Sequence, residues 1–392
     1  MKRILILIGL LIFLCGCVDL KIDNSTQLPS QEHSDFEEEN KNEFKGIWLT
    51  VYELAPESDS EKEYIKKADD IMNNIGSFGF TDIFIQVRAN CDSIYNSDIF
   101  PPCYMYADES KLYFDALSIL CEKAHEFGLK IHAWVNPYRI CSDVNIQPLN
   151  IPKGIDEDSI IICGDGRYLN PSAQQTNAVI LSSIREILER YNIDGIHIDD
   201  YFYPAQSESI DKKEYSMYLK KGGKSELSDF RRNNVSSLIS SIYSLVKSYG
   251  DDILFSISPC ADIEKDRDKL YADVGLWCSE KGYCDMIIPQ IYFGFENENM
   301  PFCETFNTWK ELTENSSVRL CIGLSIYKTE SEDKYAGESG KNEWINNGDI
   351  IKRQIEYLRE NGADGFSVFS YNYVFGNRNF TKDEVKNLKS VI

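Results

Sequence analysis

Two adjacent carboxylates stand at the end of an apolar run in the segment Asp194-Gly195-Ile196-His197-Ile198-Asp199-Asp200-Tyr201-Phe202-Tyr203-Pro204. Cleaving a glycosidic bond takes a proton donor for the leaving oxygen and a second carboxylate acting as nucleophile, base or charge stabiliser. Two such groups in a semi-enclosed site push their pKa values apart, which keeps one protonated near neutral pH. Successive strand residues point to opposite faces. Asp199 and Asp200 therefore share a pocket only where a strand ends between them, with Asp199 facing inward and Asp200 facing the loop above. These two are the catalytic candidates. The plainer alternative is that one of them caps the next helix or pairs with Arg88.

The elements that must hold this segment come in a regular order. From Lys45 onward, short β-branched or aromatic runs alternate with longer amphipathic stretches, the pattern of βα units around a parallel sheet. Strands are predicted over 46–52, 81–88, 130–137, 195–201, 253–259, 286–293, 319–327 and 365–371. Helices are predicted over 61–78, 113–127, 173–191, 226–249, 270–281, 302–314, 349–361 and 382–391. Gly79 and Gly128 stand where helices should stop. Eight strands, each followed by a helix, give an α/β chain folded as a single (β/α)8 TIM barrel. An open doubly wound sheet would need a Gly-rich phosphate turn after the first strand, and that turn is missing.

In a barrel, chemistry gathers at the C-terminal ends of the strands. There the sequence places Trp48, Gln86 and Arg88, then His132, Trp134 and Asn136, then His197, Tyr201 and Tyr203, and finally Gln290, Tyr292 and Tyr327. Tyr52, Ser258, Ser370 and Tyr371 fall near the same rim. An interior that only packs would fill these rungs with Val, Ile and Leu. Aromatics that stack on sugar faces, beside amides and cations that bond hydroxyls, describe a substrate pocket for a polyhydroxylated ring. A further acid on another strand could come from Glu53, Asp262 or Glu296. If the substrate carries a 2-acetamido group, its own carbonyl could serve instead. The favoured reading needs no metal and no cofactor. One rival is a metal-dependent hydrolase with His132, His197 and Asp199 as a facial set; another is a sugar-binding surface lipoprotein without turnover.

Composition narrows the field. At 392 residues, with 43% hydrophobic and 12% aromatic content, the chain is too apolar to be disordered and long enough for a large core. Its 63 acidic against 41 basic residues leave a formal charge of −22, a field that repels phosphate backbones and excludes nucleic acid as a partner. Met1-Lys2-Arg3 and the apolar run 4–14 end in Leu14-Cys15-Gly16-Cys17, which resembles a bacterial lipobox. Residues 1–16 are therefore expected to be a lipoprotein signal peptide. Cys17 would be the lipidated residue, anchoring the protein to the outer, extracytoplasmic face of the membrane. Residues 17–44, with the acidic run Glu37-Glu38-Glu39, read as a flexible tether, and 45–392 as the barrel. No CxxC pair occurs among the 12 cysteines; Cys91/Cys103 and Cys278/Cys284 are the local pairs able to form disulfides.

Beyond these patterns, 194–204 resembles the signature of the glycosyl hydrolase-like 10 family of exported bacterial proteins. The agreement continues in order through Gly46-Ile47-Trp48-Leu49-Thr50, Phe84-Ile85-Gln86-Val87-Arg88, Ser97-Asp98-Ile99-Phe100-Pro101 and His132-Ala133-Trp134-Val135-Asn136-Pro137-Tyr138-Arg139. It runs on through Leu169-Asn170-Pro171, Ser256-Ile257-Ser258-Pro259, Tyr271-Ala272-Asp273-Val274 and Ile288-Pro289-Gln290-Ile291-Tyr292. The resemblance spans roughly 45–373 and implies a barrel glycoside hydrolase, a few of whose relatives are linked to bacterial cell-wall glycans; the expected substrate is a bacterial or environmental polysaccharide, with peptidoglycan strands as one candidate. This chain departs from the family pattern at Phe293, where Trp is frequent, and in the loop 294–299.

Overall fold

The computed structural model describes residues 43–108, 110–376 and 382–392. The signal peptide, Cys17 and nearly all of the tether lie outside them. Eight parallel strands close into a barrel: β1 (Phe44–Leu49), β2 (Asp82–Arg88), β3 (Lys130–Val135), β4 (Gly195–Ile198), β5 (Leu254–Ile257), β6 (Met286–Ile287), β7 (Arg319–Leu324) and β8 (Gly365–Val368). Each strand pairs with its neighbours in chain order, and β8 closes on β1. The helices that follow them are α1 (Glu61–Phe78), α2 (Ala116–Glu126), α3 (Gln174–Arg190), α4 (Leu227–Lys247), α5 (Val274–Ser279), α6 (Phe302–Thr313), α7 (Ile350–Glu360) and α8 (Lys382–Lys389). This is the TIM barrel that the alternating pattern predicts. No helix among the described residues is long and apolar enough to cross a membrane.

Local sequence explains the helices. In α1, Tyr64, Ala68, Ile71, Met72 and Ile75 recur at three- and four-residue spacing and bury one face. Ser60 caps the start by accepting the Glu63 N–H, and Gly79 stops the helix at φ 112°, a left-handed conformation that favours glycine. On the outer face of β2, Ile83, Ile85 and Val87 pack beneath the helices, whereas Phe84 turns inward. The inward side of the barrel holds a separate apolar cluster of Phe44, Trp48, Phe84, Trp134, Met286, Ile288 and Cys321.

Polar side chains thread that interior. His132 Nε2 lies 2.8 Å from Asp82 Oδ1. His197 Nε2 accepts the Trp48 indole N–H at 3.2 Å, and its Nδ1 lies 2.8 Å from Ser256 Oγ. The indole fixes Nε2 as an acceptor, so Nδ1 carries the proton and donates it to Ser256. Burial, with His132 adding to it, holds His197 well below the ordinary histidine pKa, and the ring is neutral. Gly195 makes this packing possible, because a Cβ there would stand 2.2 Å from His132 Nδ1.

Two rim structures matter for the site. After β3 the chain forms a three-stranded antiparallel flap from residues 139–141, 160–163 and 166–169. After β4 the loop is locked from below by a buried ion pair, with Arg231 Nη2 2.6 Å from Asp211 Oδ1 and Nε 2.8 Å from Oδ2. All ten cysteines among the described residues are free thiols, so Cys91/Cys103 and Cys278/Cys284 are not bonded.

Candidate active site

Every strand but β2 stops short of its predicted end, and that early stop builds the site. β4 ends at Ile198, so Asp199 and Asp200 both leave the regular pleat and line one pocket of about 270 Å3, together with Trp48, Trp134, Tyr201, Ser258, Gln290, Tyr292, Tyr327, Phe369 and Tyr373. Aromatic rings form most of the wall. Tyr292 and Tyr327 meet edge-on at 5.8 Å, and both contact Phe369. Ser258 Oγ is buried with no hydrogen-bond partner, a hydroxyl left free for a ligand.

Asp199 is almost fully buried and held from three directions. Its Oδ2 accepts the Trp134 indole N–H at 3.1 Å and the Asn136 amide at 2.7 Å, while Oδ1 accepts the Tyr201 main-chain N–H at 3.4 Å. Asn136 is itself oriented by Gln86, whose amide donates to Asn136 Oδ1 at 2.9 Å and whose carbonyl accepts the Val51 N–H at 3.2 Å. One chain of amides thus runs from the end of β1 through β2 and β3 to the carboxylate of β4. Asp200 accepts from Gln290 Nε2 at 3.2 Å, and that amide also donates to the Ser258 carbonyl at 3.0 Å. Burial, reinforced by the charge of Asp200, pushes Asp199 up to about 7. Burial likewise raises Asp200, against the pull of Gln290. Two close carboxyl groups that resist joint ionisation hold one proton between them, the condition acid catalysis requires.

The remaining sequence candidates divide by depth. Trp48, Trp134, Tyr201, Gln290, Tyr292 and Tyr327 line the pocket as expected. Gln86 and Asn136 lie behind it as the relay to Asp199. His132 and His197 are fully buried in the barrel interior below, not in the pocket wall. Tyr203 is buried too, its hydroxyl 2.6 Å from Ser172 Oγ and 3.3 Å from Asp211, and it belongs to the lock under the β4 loop. Arg88 is wholly enclosed, its guanidinium 4.8 Å over the Phe100 ring, with none of its nitrogens hydrogen-bonded. The facial metal set is not assembled, because both His197 nitrogens are engaged and His132 Nε2 faces Asp82. No group of three or more His, Cys, Asp or Glu among the described residues is arranged to hold an ion.

The extra rim acids have other partners. Glu53 accepts from Thr50 N, Ser370 Oγ and Asn372 N at 2.6, 2.7 and 2.8 Å, tying the first loop to the last. Asp262 caps the turn after β5 by accepting the Lys265 N–H, and Glu296 is exposed. The sequence reading missed Asp266 in that β5 loop. It is fully enclosed, neither oxygen has a hydrogen bond of ordinary geometry, and burial and the charge of Asp200 hold it well above the usual carboxylate range. Phe369 and Tyr373 were missed for a local reason. β8 ends at Val368 and a short helix starts at Tyr371, so the predicted rim residues Ser370 and Tyr371 turn instead to Glu53 and Asn74.

Comparison with known proteins agrees with this geometry. Residues 43–338 match the glycosyl hydrolase-like 10 family. The glycosyl hydrolase DigH of Escherichia coli K12 is 26% identical over 91% of this chain and 89% of its own length. The glycosyl hydrolase YngK of Bacillus subtilis is 31% identical over 69% of this chain and 56% of its own length. Among solved structures, the glycoside hydrolase domain of PgaB (BpsB) from Bordetella bronchiseptica superposes with a TM-score of 0.62 at 12% identity, over 89% of this chain and 98% of that one. The catalytic domain of a Paenibacillus polymyxa β-amylase gives 0.57 at 11% identity, over 90% and 98%. Those two likenesses concern the barrel fold.

Proposed function

The chain belongs to the glycosyl hydrolase-like 10 family, and from that premise we propose that it hydrolyses a polysaccharide built of 2-acetamido sugars, with bacterial cell-wall strands as the substrate class. One observation carries the mechanism: among the described residues, the pocket wall holds two carboxylates, and they are adjacent in the chain. A single ring in this pocket meets both carboxylates from one side, so the substrate's own acetamide supplies the nucleophile, as in substrate-assisted glycosidases. Asp199, its Oδ2 fixed by Trp134 and Asn136, accepts the acetamide N–H and orients the carbonyl oxygen toward the anomeric carbon. That hydrogen bond favours the ionised form of Asp199, so the shared proton resides on Asp200. The carbonyl oxygen bonds to the anomeric carbon while the glycosidic C–O bond breaks, and Asp200 delivers its proton to the leaving oxygen. Asp200 then takes a proton from the water that opens the cyclic intermediate, and configuration is retained. Trp48, Trp134 and Tyr292 supply the stacking walls.

The same proposal places the enzyme outside the cell. Export by residues 1–16, lipid attachment at Cys17 and an acidic leash over 17–44 would hold the barrel off the membrane, within reach of wall glycan. The test is release of reducing ends from peptide-stripped glycan strands. Wild-type protein should release them, and Asp199→Asn and Asp200→Asn should each fail while keeping the wild-type circular dichroism spectrum. Full activity in both variants ends the carboxylate mechanism; binding without release by the wild-type protein would favour a lectin-like role.

A further inference from the structure

Arg139 stands at the opening of the flap, one residue beyond Tyr138 in the loop after β3. Its Nε–H donates to the Ala89 carbonyl at 3.0 Å, and the guanidinium carbon lies 4.6 Å over the centre of the Tyr201 ring. Tyr201 itself lines the pocket and is half exposed. A main-chain acceptor from the end of β2 and an aromatic face from the β4 loop thus fix the guanidinium plane before any ligand arrives. The guanidinium is near enough to favour ionisation of Asp199 and Asp200, as it also does for Asp92. In a chain with 63 acidic side chains, Arg139 forms no ion pair within 4.0 Å among the described residues, a condition it shares with Arg88, Arg167, Arg185 and Arg319, whereas Arg190, Arg231, Arg232, Arg267, Arg353 and Arg359 all form one. An arginine fork that is pre-oriented, half-buried, without a carboxylate partner and stacked on a tyrosine of the pocket wall suits a planar anion.

We propose that Arg139 binds a carboxylate carried by the substrate, on the sugar lying at the Tyr201 edge of the pocket, so that the enzyme selects acidic amino-sugar strands over neutral ones. This rests on the glycosidase reading above and narrows it. The chemistry required is an acetamido sugar bearing an ether-linked carboxylate, as in the lactyl group of muramic acid. Neutral chitin-type chains lack it. The selection also answers a difficulty set by composition: a protein of net charge −22 repels an acidic glycan at long range, so attraction has to be supplied at short range by a placed cation.

The experiment compares kcat/KM on peptide-stripped muramic strands with that on the same strands after their lactyl carboxyls have been converted to amides. Wild-type protein should lose about tenfold to a hundredfold on amidation, the value of a charge-assisted hydrogen-bonded pair. Arg139→Gln should cut the two strands at nearly equal rates, and Arg139→Lys, which keeps the charge but not the fork, should retain part of the preference. Equal cleavage of both strands by the wild-type enzyme overturns the inference while leaving the glycosidase reading intact. So does a loss in Arg139→Gln that is the same on both strands, because a purely structural residue would behave that way. Failure of the wild-type protein to cleave either strand removes both.

Discussion

Two levels of the same barrel interior use polar residues to opposite ends. In the lower level, His132, Asp82, His197 and Ser256 are fully or nearly fully buried, and their side-chain hydrogen bonds end on one another, on Trp48 or on Thr81. One level up, Asp199, Asp200 and Gln290 stand on the same inward side, but the strands have ended and the aromatic walls leave a cavity. The lower level is a fastening and the upper one a workplace. An inward-facing histidine or aspartate at a strand end is therefore no sign of chemistry by itself. What separates the two levels is position relative to the last paired rung.

Several substitutions would sharpen or break that contrast. The largest effect is expected at Asp200. Asp200→Asn should lower kcat by about 10²–10⁴-fold, the usual worth of a positioned general acid, with little change in urea midpoint. His197→Ala should do the reverse. Stripping partners from the Trp48 indole and the Ser256 hydroxyl, and leaving a cavity, should cost about 2–4 kcal/mol in urea unfolding, while kcat of the folded protein falls far less. If His197→Ala abolishes turnover without loss of stability, the division by depth is wrong.

The pH dependence separates the levels again. Burial raises both carboxyls of the upper pair, and Asp199 reaches about 7, so the pair keeps its catalytic proton at acid and neutral pH. Activity should fall as pH rises through about 7, in a kcat/KM profile whose basic limb reports the pair and not one residue, and should fall again in acid, where a second proton neutralises the carboxylate that holds the acetamide. In the lower level, His197 stays neutral and contributes no limb in that range. The smallest expected effect belongs to Asp266. A carboxyl whose folded pKa is raised holds its proton in the folded state after the unfolded chain has released it, so stability declines as pH climbs above the unfolded value. Asp266→Asn removes that decline and should raise the melting temperature by about 2–4 °C at pH 8, with little gain at pH 4.5. A fall at both values would mean that Asp266 has a stabilising partner.

Much of this was readable in the residues. Helix stops at Gly79 and Gly128, the alternation of short and long apolar segments, and the Asp199-Asp200 pair lead directly to the barrel and the mouth of its fourth strand. Period-2 alternation also put Gln86 with Arg88, His132 with Trp134 and Asn136, and His197 with Asp199 on common faces of their strands. It could not say how deep each lies, because depth depends on the stagger between neighbouring strands, and that register is a long-range property. Hence His132 and Trp134, two residues apart, fall on opposite sides of the boundary. Phe369 and Tyr373 were hidden by a broken period, since β8 ends three residues earlier than its pattern suggests. Asp266 lies in a loop, where spacing carries no information about burial.

The central claim is that the adjacent carboxylates act on a sugar ring seated among Trp48, Trp134 and Tyr292. A crystal structure of Asp200→Asn with a bound N-acetylated glycan oligomer tests it most directly. The account predicts one ring inside the aromatic box, its acetamide N–H on Asp199 and its glycosidic oxygen about 3 Å from the side chain at position 200. An oligomer held elsewhere on the barrel, or a ring whose acetamide and glycosidic oxygen both point away from these residues, would contradict it.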